Sequence, residues 1–239
     1  MEVKVRGVMT CARHEITYAR TIIEQATRAV GVPLCVSLGV FYHQQMQRMF
    51  EQALDDGLDY VVTIDGDSVF TAEQLHRLIS VTASNGLDAV ASFQCKRGAP
   101  HVLACKNGTD RAMWNGSPIE VDAAHFGLTC LRVDKLASVA KPWFVCKPDA
   151  DGRWEEGRID SDVWFWKQWR DAGNKIFVDP SIRIGHVEEM VAMHDENFAP
   201  KHLYPKDWDA QMKAGLNYME DDNDSVGETL ETASSGESA

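Results

Sequence analysis

No stretch of the 239-residue sequence is apolar for long enough to cross a bilayer, which argues against a helical membrane protein. Near Met1 the segment MEVKVRGVMT alternates charged and apolar residues, so the continuous apolar core of a secretory signal is missing too. The six cysteines, at positions 11, 35, 95, 105, 130 and 146, include no CxxC pair and no tight cluster. That spacing argues against a zinc site and for reduced thiols, and a cytoplasmic location is expected. The first strand-to-helix turn, MTCARHE, has no glycine, which argues against a glycine- and lysine-rich phosphate loop. Basic residues stop at Lys213, after which seven acidic residues follow. They account for seven of the net charge of -12, leaving about -5 for the rest, an unfavourable balance for a general nucleic-acid binder.

What is present fits one α/β catalytic domain over 1–219, followed by an acidic disordered tail over 220–239 that is Ser/Thr/Gly-rich and without aromatics. The first half predicts strands alternating with helices, the pattern of a mostly parallel sheet flanked by helices. Strands are expected at 3–9, 34–40 and 58–64, with helices at 15–30 and 44–54 between them. Thr71 is the expected N-cap of the next helix and Gly86 its stop, before a strand in LDAVASF. Further on, short strands are expected at 101–105 and 118–121, and a buried strand in FGLTCLRV. A long loop over 141–158 precedes a helix at 160–172; KIFVDP and SIRIGHV are predicted as two short strands, with a last helix within 205–217.

The segment VVTIDGDSVF carries the strongest chemical signal, because two carboxylates one residue apart follow directly on a buried strand. Ligands of open α/β sheets collect at the carboxyl ends of strands, and Asp65-Gly66-Asp67 can there bring oxygens to one hard cation. An Asx-type turn is the plainer alternative. Further along, Asp160 and Asp162 open a helix. Asp160 suits an N-cap, and Asp162, in the first turn, can accept a proton from a hydroxyl. His186, beside Gly185 at a strand end, can complete an oxygen-rich metal site.

Asp65-Gly66-Asp67, the segment VDAAHFGLTCLRVDKL, and Ser161-Asp162 followed by Trp169-Arg170, Gly173, Val178-Asp179 and Gly185-His186 together resemble the GT-A glycosyltransferases. In particular they resemble short phage-like and bacterial members of the family-2 type, over most of residues 1–190. The resemblance implies a Rossmann-like nucleotide-diphospho-sugar transferase fold. It implies Mn²⁺ or Mg²⁺ held by Asp67 and His186, with Asp65 on the metal, through water, or on the ribose of a UDP- or GDP-sugar donor. It makes Asp162 the general base of an inverting transfer. Because the family's Glu-Asp pair is here Ser161-Asp162, Asp160 stays in contention.

By the same resemblance Thr10 and Arg13 face the nucleotide, Gln45 and Arg48 the donor, and Gly127 the floor beneath the sugar. His125 and Trp114 are candidate acceptor contacts. The acceptor bears a hydroxyl; a saccharide and a hydroxymethylated base in phage DNA are both admitted, the protein then working in the host cytoplasm. Lys96, Arg97, His101, Lys106 and Arg111 could meet a phosphate backbone. A nucleotidyltransferase acting on a sugar phosphate, or a binding module without catalysis, are the competing functions. Oligomeric state is left open.

Overall fold

The computed structural model describes residues 3–11, 17–39, 41–95, 104–105, 116–155, 157–195 and 197–212. The tail, Arg13, Trp114 and the basic stretch Lys96, Arg97, His101, Lys106 and Arg111 lie outside them. In chain order the elements are β1 (Val5–Cys11), α1 (Thr17–Val30), β2 (Leu34–Leu38), α2 (Tyr42–Asp55), β3 (Tyr60–Asp65), β4 (Ser68–Val69), α3 (Ala72–Ser84) and β5 (Ala89–Phe93). There follow β6 (Ala104–Cys105), β7 (Ile119–Val121), β8 (Ala123–Ala124), β9 (Leu128–Arg132), α4 (Val133–Leu136) and α5 (Ser161–Asp171). Then come β10 (Ile176–Arg183), β11 (Gly185–His186), β12 (Val191–His194) and β13 (Pro200–Leu203), and residues 205–212 are helical, within the range expected for the last helix. No helix among the described residues is long and apolar enough to cross a membrane.

The chain divides after Val187 into two compact units. The first holds a seven-stranded sheet of order β2-β1-β3-β9-β5-β10-β7. Strands β2, β1, β3, β5 and β10 run one way, and β9 and β7 run against them. This is the mostly parallel mixed sheet that the alternating pattern predicts. The second unit contains the hairpin β12–β13.

Period-two alternation along the strands supplies two cores, one on each face. Val8, Val61, Ala91 and Leu131 face α2, α4 and α5, whereas Met9, Val62, Ile64, Val90 and Cys130 face α1 and α3. Local signals set the helix ends. Thr71 caps α3 in a reciprocal box, its hydroxyl accepting from the Gln74 N–H while the Gln74 side chain accepts from the Thr71 N–H. Gly86, at φ 62°, ends that helix in the left-handed region, and Leu87 N–H then bonds back to the Thr82 carbonyl.

One expectation is corrected. KIFVDP and SIRIGHV do not form two strands divided at Pro180; β10 runs through the proline, and only Gly185–His186 is separate. Pro180 offers no N–H to the ladder, and pairing with β5 shifts register between Asp179 and Arg183 instead of ending there.

Candidate functional site

The site grows from the carboxyl ends of β1 and β3, where Thr10 and Asp65 are register partners. Both share strand parity with Val8 and Val61 and therefore project toward the face covered by α2 and α5. Asp65 N–H donates to the Gly127 carbonyl at 3.2 Å, so Thr10, Asp65 and Gly127 come together. The Asp65-Gly66-Asp67 turn then leads into β4, which pairs antiparallel with β11, Ser68 opposite His186. Through this pairing Asp67 Oδ2 stands 3.1 Å from His186 Nε2, and Val187 N–H donates to the Asp67 carbonyl at 2.8 Å. Gly185 is needed here, since a Cβ would lie 2.6 Å from Val69 Cγ2.

A buried polar layer from β5 and the approach to β9 supports these groups. Gln94 donates through Nε2 to Ser68 Oγ at 3.0 Å, and the next carbonyl, of Cys95, lies 3.1 Å from His186 Nδ1. His125 is no acceptor contact, contrary to expectation, because it is buried with both ring nitrogens engaged. Its Nδ1 accepts from the Gly127 N–H at 2.9 Å, which puts the proton on Nε2, 2.8 Å from the Ser92 carbonyl. Burial pushes its pKa down to about 4, against the opposing pull of the Ser92 hydrogen bond. A Cβ on Gly127 would lie 2.4 Å from Gln94 Oε1 and 2.8 Å from His125 Nδ1. Glycine at 127 therefore has a packing reason of its own, independent of any donor sugar.

Across the same face, α5 is anchored by fully buried Phe165, Trp166 and Trp169. Trp166 stacks on Phe126 at 5.1 Å, and its Nε1 donates to the Ala124 carbonyl at 2.6 Å. Asp162 lies on the same helical stripe, three residues before Phe165, and is half-buried. Burial raises its carboxyl pKa, the nearby Asp160 charge adding to the effect and the bond from Val163 N–H opposing it. Asp160 occupies the N-cap position without a side-chain cap bond. It is exposed, paired with Arg158 at 3.0 Å.

Tyr42, which the sequence did not single out, opens α2 and packs against the same core. Burial raises the pKa of its hydroxyl well above the ordinary value, and the Asp65 and Asp162 carboxylates raise it further. A neutral phenol thus stands within electrostatic reach of both acids. One turn on, Gln45 is buried with Oε1 unpartnered, its Nε2 facing Gly39 at the end of β2. Arg48 is exposed on α2, where its charge acts on Glu51, and among the described residues no hydrogen bond or ion pair joins it to the other candidates. The missed residues, Tyr42, Ser68, Gln94 and the Cys95 carbonyl, carry no motif of their own. A polar aromatic one turn before Gln45 was the one available signal.

Whether these side chains suit a divalent cation can be tested on their spacing. Ligands at about 2.1 Å on adjacent octahedral vertices stand about 3.0 Å apart, and Asp67 Oδ2 and His186 Nε2 stand 3.1 Å apart. A carbonyl can only accept, so His186 donates through Nδ1 to Cys95 and presents Nε2 to Asp67, where a bound cation would take the place of the proton shared by the pair. Among the described residues no group of three or more His, Cys, Asp or Glu forms a metal cluster. Magnesium-type sites commonly use one or two carboxylates and complete the shell with substrate phosphates and water. The pair fits such an ion.

No protein-family model matches the chain, and no curated protein sequence matches it. Among solved structures, A197 from STIV has a TM-score of 0.58 at 12% identity, over 84% of this chain and 94% of that one. GalNAc-T7, solved with UDP, GalNAc and Mn²⁺, has a TM-score of 0.54 at 8% identity, over 78% of this chain and 43% of that one. At such identities the likeness is one of fold, and the class it defines is the GT-A-like glycosyltransferase fold. The chain spans less than half the length of GalNAc-T7.

Proposed function

We propose that the protein is a metal-dependent glycosyltransferase that moves a sugar from a nucleotide-diphosphate sugar to an acceptor hydroxyl with inversion. The observation that carries this is the Asp67–His186 pair at 3.1 Å, beside Asp65 at the strand ends of a GT-A-like sheet, with Asp162 on the helix across the same face. Asp67 and His186 would hold Mn²⁺ or Mg²⁺. The ion supplies neutralisation of the diphosphate leaving group as negative charge develops on it.

Asp65 holds the donor ribose or the ion's water, Thr10 and Arg13 hold the nucleotide, and Gln45, with its unpartnered buried oxygen, receives a donor N–H or O–H. Arg48 has no support from its placement beyond lying on the same helix. Asp162 takes the proton from the acceptor hydroxyl. Its half-buried setting raises its pKa and so makes it a stronger base than an exposed carboxylate, whereas Asp160 is tied to Arg158 in solvent. The Tyr42 hydroxyl, within electrostatic reach of both acids, contacts the sugar in transit. Residues 1–219 act as the catalytic domain in this reading.

A panel of UDP- and GDP-sugars incubated with the protein and Mn²⁺, with and without chelator, tests it through slow release of nucleoside diphosphate. Chelator-sensitive release from one donor supports the reading and identifies that donor. Release or binding with no donor would overturn it. Adding saccharides or DNA carrying hydroxymethylated bases to the productive donor then distinguishes the two acceptor classes.

A further inference from the structure

The two residues that follow β5 bond to His186 and to Ser68, the neighbour of Asp67, without belonging to the proposed cation-holding pair. Gln94, 1% exposed, donates to Ser68 Oγ at 3.0 Å, and Ser68 is both the neighbour of Asp67 in sequence and the register partner of His186. The carbonyl of the following residue, Cys95, fixes His186 Nδ1 at 3.1 Å. Two residues earlier, the Ser92 carbonyl holds His125, which in turn holds Gly127 and hence the carbonyl that accepts from Asp65 N–H. Gln94 occupies this place with its Oε1 buried and unpartnered. An orphaned buried amide oxygen destabilises the fold, so packing alone is a weak reason for glutamine here.

We propose that Gln94 is a positioning residue: its bond to Ser68, with the Cys95 carbonyl next to it, sets the spacing and orientation of Asp67 and His186. The inference rests on the metal-dependent reading above. It predicts that removing the Gln94 amide leaves the sheet folded but lets Ser68 and the β4–β11 ribbon shift relative to β5, so that the two ligands no longer meet one ion.

The test uses the full chain and Mn²⁺ alone, with affinity measured by electron paramagnetic resonance in wild type, Gln94→Leu, Ser68→Ala and the double variant. The His186 ring resonances are recorded in metal-free samples. Each single variant is expected to weaken Mn²⁺ binding about 10- to 100-fold, as loss of a ligand-orienting partner does. The double variant should be no weaker than the worse single, because both remove one hydrogen bond. Should Gln94→Leu fail to fold, Ser68→Ala breaks the same bond from the other side. Affinity within twofold of wild type in a folded single variant overturns the proposal. If wild type binds no Mn²⁺, the metal-dependent reading falls, and the ring resonances still decide: displaced His186 signals in the variants support positioning by Gln94, and unchanged ones refute it.

Discussion

Lowering the pH from 7.5 to 4.5 presents His125 with a proton that the folded protein has no means of accommodating. Nδ1 already accepts from the Gly127 N–H, so a proton there would set donor against donor, and the ring is buried. In the unfolded chain the imidazole titrates at its ordinary value of 6.5, in the folded protein at about 4. Between these values the unfolded state binds a proton that the native state refuses. The stabilisation is therefore fully present above the unfolded value and declines as pH falls, by up to about 1.4 kcal/mol per pH unit. The full loss is about 3 kcal/mol, of which about 2.5 kcal/mol is reached by pH 4.5.

Urea unfolding, followed through the fluorescence of buried Trp143, Trp166 and Trp169, measures this in the unit that contains His125. His125→Gln keeps a donor for the Ser92 carbonyl and has no charge to gain. Subtracting the stability of this variant from that of wild type removes the contribution of the titrating groups that do not act on His125, leaving its own titration and its coupling to His186. The difference should fall by about 2.5 kcal/mol between pH 7.5 and 4.5. A difference flat to within about 0.5 kcal/mol, beyond the error of extrapolation, would refute the assigned burial and tautomer.

Asp162→Asn should raise stability at pH 7.5 by about 0.5–2 kcal/mol in the same urea assay while lowering transfer roughly 10²–10⁴-fold. The sign follows from burial: a carboxyl with a raised folded pKa favours folding most at low pH, and that advantage disappears as pH rises through the folded value. A variant that is active, or less stable than wild type, contradicts the assignment. Gly127→Ala should cost about 1–3 kcal/mol, because its Cβ meets Gln94 Oε1 and His125 Nδ1; a neutral thermal melt would show that the layer yields freely. Asp67→Ala should keep the fold, since Val187 bonds the Asp67 backbone carbonyl, yet lose Mn²⁺-dependent donor hydrolysis. Persistent chelator-sensitive hydrolysis would move the metal elsewhere. Tyr42→Phe retains the packing ring and should raise the donor KM roughly tenfold, the loss of one hydrogen bond; an unchanged KM removes the phenol from the sugar site.

Much of the architecture was legible in short-range signals. Thr71 and Gly86 marked both ends of α3, and the short apolar runs at 58–64 and 87–93 marked central strands, because capping and unbroken apolar runs are properties of neighbouring residues. The metal candidates were legible for a related reason: Asp65-Gly66-Asp67 follows directly on β3, and a strand end is where such a sheet places its ligands. Pro180 misled, because a single residue that lacks an N–H looks like a break until its neighbour strand is seen to shift register around it.

By itself the sequence determined the α/β class, the order of the longer strands and helices up to α5, and the residue types able to grip a cation and accept a proton, but not β4, α4 or the β12–β13 hairpin. Only tertiary structure decided that β9 enters between β3 and β5 against their direction, placing Gly127 under Asp65. It likewise decided that β4 pairs with β11, so that Asp67 meets His186, and that His125 faces inward while Asp160 turns to Arg158. These are contacts between segments far apart in the chain. Their energies depend on burial and on partners that local sequence patterns do not encode.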